Sequence, residues 1–178
     1  GVLWIGTYGR GLKRFDPGGD TARPITLSAP DTLPHDNVLA LFEDAEDNVW
    51  VGTQGGLLRL RPGAASTITT HDGAPLSINS IARDPRGPIL VTALNGRLFQ
   101  VSRHALVPFT LPAGLSGLVI RNVFRDSRDR LWIGTDGQGI ARLDPEGTFV
   151  RYTMSDGLVN DFVRAFCEDR QGGLWIGT

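Results

Sequence analysis

An all-β propeller of about four four-stranded antiparallel blades, an open arc of a larger ring, is the fold this sequence predicts, and three observations predict it. A pentapeptide recurs as Leu3-Trp4-Ile5-Gly6-Thr7, Val49-Trp50-Val51-Gly52-Thr53, Leu131-Trp132-Ile133-Gly134-Thr135 and Leu174-Trp175-Ile176-Gly177-Thr178, with a decayed copy at Ile89-Leu90-Val91-Thr92-Ala93. Its second position steps by 46, 40, 42 and 43 residues (Trp4 to Trp50 to Leu90 to Trp132 to Trp175). That is the length of one propeller blade and not of a helical solenoid unit. Finally, each unit has an aspartate, Asp44, Asp84, Asp126 or Asp169, always six residues before that second position. A fixed loop length fixes the register of a hairpin.

Within a unit, the first strand is a run of β-branched and large apolar residues ending at the aspartate: Val38 to Glu43, Ile78 to Arg83, Ile120 to Arg125 and Val163 to Glu168. Turn formers such as Asp47-Asn48, Pro85-Arg86-Gly87 and Gln171-Gly172-Gly173 lead into the pentapeptide, the second strand. Leu3 and Ile5 fall on one face of it and Trp4 on the other, so both faces need cover, as where sheets stack on sheets. A glycine-bearing turn follows, and then the third strand: Leu12 to Phe15, Leu57 to Leu60, Leu98 to Val101 and Ile140 to Leu143. Polar outer strands are expected near Pro24 to Leu27, Ser66 to Thr70, Leu106 to Thr110 and Phe149 to Thr153.

The units divide the chain into a partial blade over 1–30, blades over 31–73, 74–113 and 114–156, and a partial blade over 157–178. Five copies of the second strand stand against four of each other strand, and a closed four-bladed ring has room for only four. The expected open arc leaves two apolar blade faces uncapped, and the chain reads as an excerpt of a longer protein.

Composition narrows the function. Of the 178 residues 40% are hydrophobic, enough for a real core, and the net charge is -1. The arginines are scattered singly, without the basic stripe that phosphate-backbone binding needs, so nucleic acid is not an expected partner. No apolar run is long enough to span a membrane, and this segment is expected to make no membrane contact. Cys167, the single cysteine, sits in an apolar run and reads as a small buried hydrophobe. His35, His71 and His104 lack metal-ligand spacing, and nothing asks for a cofactor. Glu43-Asp44 and Glu168-Asp169 look like acid pairs but close hairpins, and Arg83 and Arg125 take the glutamate's place in the other units. The Gly-x-Gly at Gly9 to Gly11 leads into a strand and not into a helix that could cradle phosphate. No catalytic residue is assigned.

The unit written Asp156-Gly157-Leu158-Val159-Asn160, then Val163 to Asp169, then Gly173-Leu174-Trp175-Ile176-Gly177-Thr178 resembles the two-component regulator propeller repeat. Three of four units fit that pattern; the one around Ile89 to Ala93 lacks its tryptophan and glycine. The resemblance implies a ligand-sensing, carbohydrate-binding propeller segment in the periplasmic part of a bacterial hybrid two-component histidine kinase. The full-length protein is expected to be a homodimer anchored in the inner membrane. In some relatives of that family a diguanylate cyclase takes the kinase's place. A propeller enzyme, a lyase or glycosidase drawing on Asp36, Asp136 and Asp161, and a protein-interaction scaffold are the rival readings.

In a propeller, the loops from second to third strand and from outer strand to the next first strand open on one face, where ligands bind. The first set offers Tyr8, Arg10, Gln54, Asn95, Arg97, Asp136 and Gln138; the second offers His35, Asp36, Asn37, His71, Asp72, Asn79, Asn160 and Asp161. Tyr8 and Arg10 lead this set, since an aromatic face beside a many-donor guanidinium suits a sugar's apolar patch and its hydroxyls.

Overall fold

A computed structural model describes residues 2–18, 25–70, 72–83 and 87–178. Strands β1 (Leu3–Gly6), β2 (Leu12–Phe15) and β3 (Ile25–Leu27) form a three-stranded antiparallel sheet. A four-stranded antiparallel set follows: β4 (Val38–Glu43), β5 (Val49–Thr53), β6 (Gly56–Arg61) and β7 (Ala64–Thr70). Then come β8 (Ile78–Ala82), β9 (Leu90–Ala93), β10 (Leu98–Ser102) and β11 (Ala105–Pro108), neighbours in chain order. A second antiparallel four consists of β12 (Ile120–Arg125), β13 (Leu131–Thr135), β14 (Ile140–Leu143) and β15 (Phe149–Tyr152). The last pair is β16 (Ala165–Glu168) with β17 (Leu174–Gly177). All five pentapeptide copies are strands in equivalent places, and the fold class is the all-β propeller. The expected positions of Pro24, His71, Asp84, Pro85 and Arg86 lie outside the described residues.

The six-residue spacing has a physical cause. Trp50 Nε1 donates to Asp44 Oδ2 at 2.7 Å, Trp132 Nε1 to Asp126 Oδ2 at 2.8 Å and Trp175 Nε1 to Asp169 Oδ2 at 2.9 Å. The other carboxylate oxygen accepts two amides of the intervening turn, from Glu46 and Asn48, from Arg128 and Arg130, or from Gln171 and Gly173. One side chain thus ties the hairpin turn to the indole that packs behind it. The length of the turn cannot change without breaking this clamp.

A second pairing crosses the strands. Opposite three of the four tryptophans the third strand carries an arginine, Arg14 for Trp4, Arg59 for Trp50 and Arg142 for Trp132. The Arg59 guanidinium lies 5.4 Å from the Trp50 ring, and Arg142 lies 5.9 Å from Trp132, a cation–π arrangement. In the decayed unit Leu90 faces Gln100. Where the ring is lost, the cation that lay on it is lost too.

The chain divides into two compact units, Gly1–Asn79 with Arg103–Leu106, and Ser80–Ser102 with Val107–Thr178. In the first, Leu12, Leu33, Val49, Val51 and Leu58 form a core with Trp4 and Leu27 packed against it, so that the valine face of β5 meets the preceding sheet. In the second, Leu131 and Ile133 join a core with Leu90 and Leu98, while Trp132 on the other face packs with Val163 and Phe166. Each tryptophan buried this way contributes about 1.5–3 kcal/mol.

Close stacking explains the pentapeptide glycine. A methyl group at Gly6, Gly52 or Gly134 would come within 2.6 Å of Val38, 2.9 Å of Ile78 and 2.8 Å of Val163, the residue at which the following inner segment begins. In the decayed unit Thr92 takes this place, and its hydroxyl donates to the Arg121 carbonyl at 3.0 Å. The lost close approach is replaced there by a hydrogen bond to the same neighbour.

Three features depart from the sequence reading. Ala105 and Leu106 pair in parallel with Thr69 and Thr70, within the first unit, because outer strands keep unpaired edge groups that accept a further ladder. Short 3-10 turns occupy Ala113–Leu115 and Met154–Asp156, the second closed by a Thr153/Asp156 capping box. Cys167 is exposed and not buried: it pairs with Trp175 in the two-stranded β16–β17 sheet, whose tryptophan is itself 68% exposed.

Candidate functional site

The two loop sets of the sequence reading do meet at one end of the blades. Gly11 N donates to Asp36 O and Gly139 N to Asp161 O, both at 3.0 Å. Val38 N likewise donates to Thr7 O at 2.9 Å and Val163 N to Thr135 O at 3.0 Å. The turn itself is closed by the pentapeptide threonine: Thr7, Thr53 and Thr135 donate through Oγ1 to the carbonyls of Gly11, Gly56 and Gly139. Gly11 and Gly139 have φ of +68° and +74°, and a Cβ on either would strike an outer-strand carbonyl, Leu27 O or Tyr152 O. The backbone of these turns is therefore held by the threonine and by the glycine's close approach to the outer strand.

In the first unit, Tyr8 is 77% exposed and Arg10 is exposed beside it on the same turn. The remaining candidates there hold the loop together. His35 Nδ1 accepts Asn37 N at 3.0 Å, Asp36 Oδ1 accepts Ala29 N at 2.8 Å, and the buried Asn37 amide donates to Gln54 Oε1 at 2.8 Å. Asp72 accepts from the Thr70 hydroxyl and the Ala74 amide, and Ser77 Oγ reaches Gln54 O. His71 lies outside the described residues, so its position relative to His35 is not part of this site.

The second unit repeats the arrangement with different side chains. Asn160 Oδ1 accepts Phe162 N, standing where His35 stands, and Asp161 Oδ1 accepts Met154 N, standing where Asp36 stands. Gln138 Oε1 accepts Val119 N, Asn95 Oδ1 accepts Arg97 N, and the Arg97 guanidinium lies over Phe99. Asp136 differs from these. Its Oδ1 is 3.7 Å from Arg121 Nε and 3.9 Å from Arg164 Nη1. Neither arginine was picked out by sequence reasoning, although a charged residue just inside an otherwise apolar inner run was the available signal.

At the opposite end of the strands the acid pairs have structural roles. Glu168 accepts the Ser127 amide and hydroxyl at 2.8 and 2.6 Å, while Asp44, Asp126 and Asp169 clamp their tryptophans. Burial pushes the Asp44 and Asp126 carboxyls up, but the indole and turn donors outweigh it and both lie below the ordinary aspartate value. A cleft of about 640 Å³ opens at this end of the first unit, lined by Trp4, Leu27, Val49, Leu60 and Pro62 among others. Its lining is mainly apolar and holds none of the loop candidates. Among the described residues no group of three or more His, Cys, Asp or Glu is placed to hold a metal ion.

The profile of the family described as "Two component regulator propeller" matches residues 32–55, 114–137 and 157–178, each running from an outer loop through the clamp aspartate to the pentapeptide. Three of its units are two component regulator propeller repeats. The unit at Leu90 and Gln100 is not among the matched segments, in keeping with its missing tryptophan, glycine and stacked arginine. No curated protein sequence matches the chain. Among solved structures, the extracellular domain of a putative hybrid two component system from B. thetaiotaomicron is similar at TM-score 0.81 and 22% identity, over 100% of this chain and 24% of that one. Another from the same organism gives 0.77 and 22%, over 99% and 27%. Virginiamycin B lyase from Staphylococcus aureus gives 0.74 and 17%, over 99% and 59%. The propeller repeats here thus span about a quarter of the length of the two extracellular domains, and at these identities the likeness is one of fold.

Proposed function

We propose that these propeller repeats are a ligand-sensing segment of a bacterial two-component sensor histidine kinase, extracytoplasmic, with a saccharide bound at the loop end of the blades. The observation that carries this reading is the match of three units to a repeat described by its place in two-component regulators. The loop end adds chemistry to it: an exposed tyrosine and an arginine on one rigid turn offer a flat apolar face and several donors, which a sugar ring with its hydroxyls can use together. A sensor needs binding without turnover, and the carboxylates Asp36 and Asp161 each give one oxygen to a backbone amide of their own loop.

Calorimetric titration of the chain with a panel of neutral and acidic oligosaccharides tests the proposal. Binding that is lost in Tyr8→Ala and Arg10→Ala with the thermal midpoint unchanged supports it. Release of a cleaved or eliminated sugar product would replace it with the propeller-enzyme reading, and absence of saccharide binding would overturn it.

A further inference from the structure

The unit without a tryptophan also lacks the turn glycine of its neighbours, and that difference makes room. Thr7 N donates to Gly11 O at 3.1 Å and Thr135 N to Gly139 O at 3.2 Å; in the same way Ala93 N donates to Arg97 O at 3.0 Å. Ala93 has no hydroxyl to close the turn, and Arg97 stands where the other two turns have a left-handed glycine. At Gly11 and Gly139 a Cβ would strike the outer-strand carbonyl of Leu27 or Tyr152. With Arg97 in that place, the outer segment has to leave space for a side chain. It stays attached through Phe109, whose amide donates to Leu98 O at 2.9 Å.

A pocket of about 260 Å³ opens beside Arg97, wholly within the second compact unit and at the loop end of its strands. Buried Leu98, Leu115 and Ile120 line it together with half-buried Phe109 and Leu111, all five belonging to one apolar core. Arg97 and Ser116 supply its polar side chains, and the Ser116 hydroxyl donates to Ala113 O at 2.6 Å. The Arg97 guanidinium lies 5.2 Å from the ring of buried Phe99, which gives it a flat support. Among the described residues no carboxylate pairs with it. The pocket thus joins an apolar wall to one cation at its exposed side.

We infer that this pocket takes a small aryl or branched-alkyl carboxylate, its apolar part against the leucines and its carboxylate held by Arg97. A guanidinium presents several donors in one plane and suits a planar carboxylate. A sugar fits the pocket badly. Its ring of hydroxyls would meet a wall without side chains to pair them, and burying unpaired polar groups is costly. The volume, below the roughly 300–1,000 Å³ of sites for drug-sized ligands, suits an occupant of about one ring. This site lies apart from Tyr8 and Arg10, and the inference does not rest on the saccharide reading.

Titration of the chain with phenylacetate, its neutral analogue phenylacetamide and plain acetate, followed through backbone amide shifts, tests the pocket. Phenylacetate is expected to bind more tightly than either of the others by about tenfold or more, because it alone brings both the ring and the charge. The shifts should centre on Gly96, Ser116 and Gly117. Arg97→Gln is expected to lower phenylacetate affinity about tenfold and to leave phenylacetamide unchanged, whereas Leu111→Ala should weaken both. No saturable binding of phenylacetate overturns the site, as does phenylacetate affinity equal to that of phenylacetamide or unchanged in Arg97→Gln. Shifts confined to the first compact unit overturn it as well.

Discussion

The Trp132 indole donates to Asp126 Oδ2 at 2.8 Å from a ring that carries two guanidiniums against it, Arg130 at 5.4 Å and Arg142 at 5.9 Å. Asp126, only 2% exposed, also receives Arg130 Nε at 2.6 Å and the amides of Arg128 and Arg130. Removing the carboxylate orphans every one of these donors. Asp126→Ala is expected to destabilise the second unit by about 3–5 kcal/mol, as when one partner of a buried charged pair is removed. Trp132→Phe, which keeps most of the apolar surface, should cost less. A double-mutant cycle read by urea denaturation should give a coupling of about 0.5–3 kcal/mol; additive effects would mean that the clamp is not a stabilising contact.

The same clamps set an acid limit. In Asp44 and Asp126 burial raises the carboxyl and the donors from Trp50 or Trp132 and the turn more than reverse it; in Asp169 the Trp175 indole leads, followed by the Gly173 and Gln171 amides. All three lie below the ordinary value, about 3.9 for a free aspartate. A folded-state value below the unfolded one means that the stabilisation is complete above the unfolded pKa and disappears as pH falls through the folded one. The thermal midpoint is expected to be flat at neutral pH and to drop below about pH 4, with a shallower drop in Asp126→Asn. An identical acid profile for wild type and Asp126→Asn would refute this assignment.

Gly52 and Gly134 occupy the same repeat position but face different atoms. A methyl at Gly52 meets Ile78 Cγ2 and the Ile78 carbonyl oxygen, both at 2.9 Å, whereas one at Gly134 meets the Asn122 amide and Val163 Cγ1. Overpacking costs about 1–3 kcal/mol, so both Gly→Ala variants should lower the denaturation midpoint. Only the second is expected to be rescued. Shortening Asn122 to alanine removes the obstructing oxygen, which has no hydrogen-bond partner, while no side-chain change moves the Ile78 carbonyl. Equal rescue of Gly52→Ala by Ile78→Ala would contradict this.

Much of this was legible in the sequence because repetition reveals what stacking demands. The strand runs at Val38 to Glu43, Leu12 to Phe15 and Ile140 to Leu143 coincide with strands of the structure. The six-residue count from aspartate to tryptophan announced a fixed hairpin, although not the indole bond that fixes it. What escaped were properties that depend on neighbours in space. Cys167 looks like a core residue because Phe42 and Phe124 occupy the matching place opposite Trp50 and Trp132. Its exposure follows from the two-stranded sheet in which it lies. The loop candidates divide in the same way: His35, Asp36, Asn160 and Asp161 are polar because they cap their own turns. Arg121 and Arg164 were hidden in runs that pattern alone reads as core strands, although Arg164 lies just ahead of β16.

Arg142 shows why the cation stacked on the repeat tryptophan is an arginine. Its planar guanidinium lies on Trp132, donates to Tyr152 Oη at 3.1 Å and to Asp144 Oδ2 at 3.1 Å, and is held above its ordinary pKa chiefly by Asp144. Lysine keeps the charge but can neither stack flat nor serve both acceptors in one plane. Arg142→Lys should therefore destabilise by about 0.5–2 kcal/mol, measured by urea denaturation. Gln100→Lys in the unit that lacks a tryptophan serves as the control and should change stability little.

Trp175 separates itself from the other tryptophans by exposure, 68% against 4% for Trp50 and 8% for Trp132, and Cys167 is its cross-strand neighbour on the open sheet. Both should report the native state without unfolding. Acrylamide is expected to quench a red-shifted part of the emission that Trp175→Phe removes, and a thiol reagent should modify Cys167 in native buffer about as fast as in denaturant. Modification that waits for global unfolding would place the β16–β17 face under cover in solution. A partner sheet, most simply a second copy of the chain laid on the exposed indole, would then have to supply that cover, and the apparent mass in solution would rise with the protection.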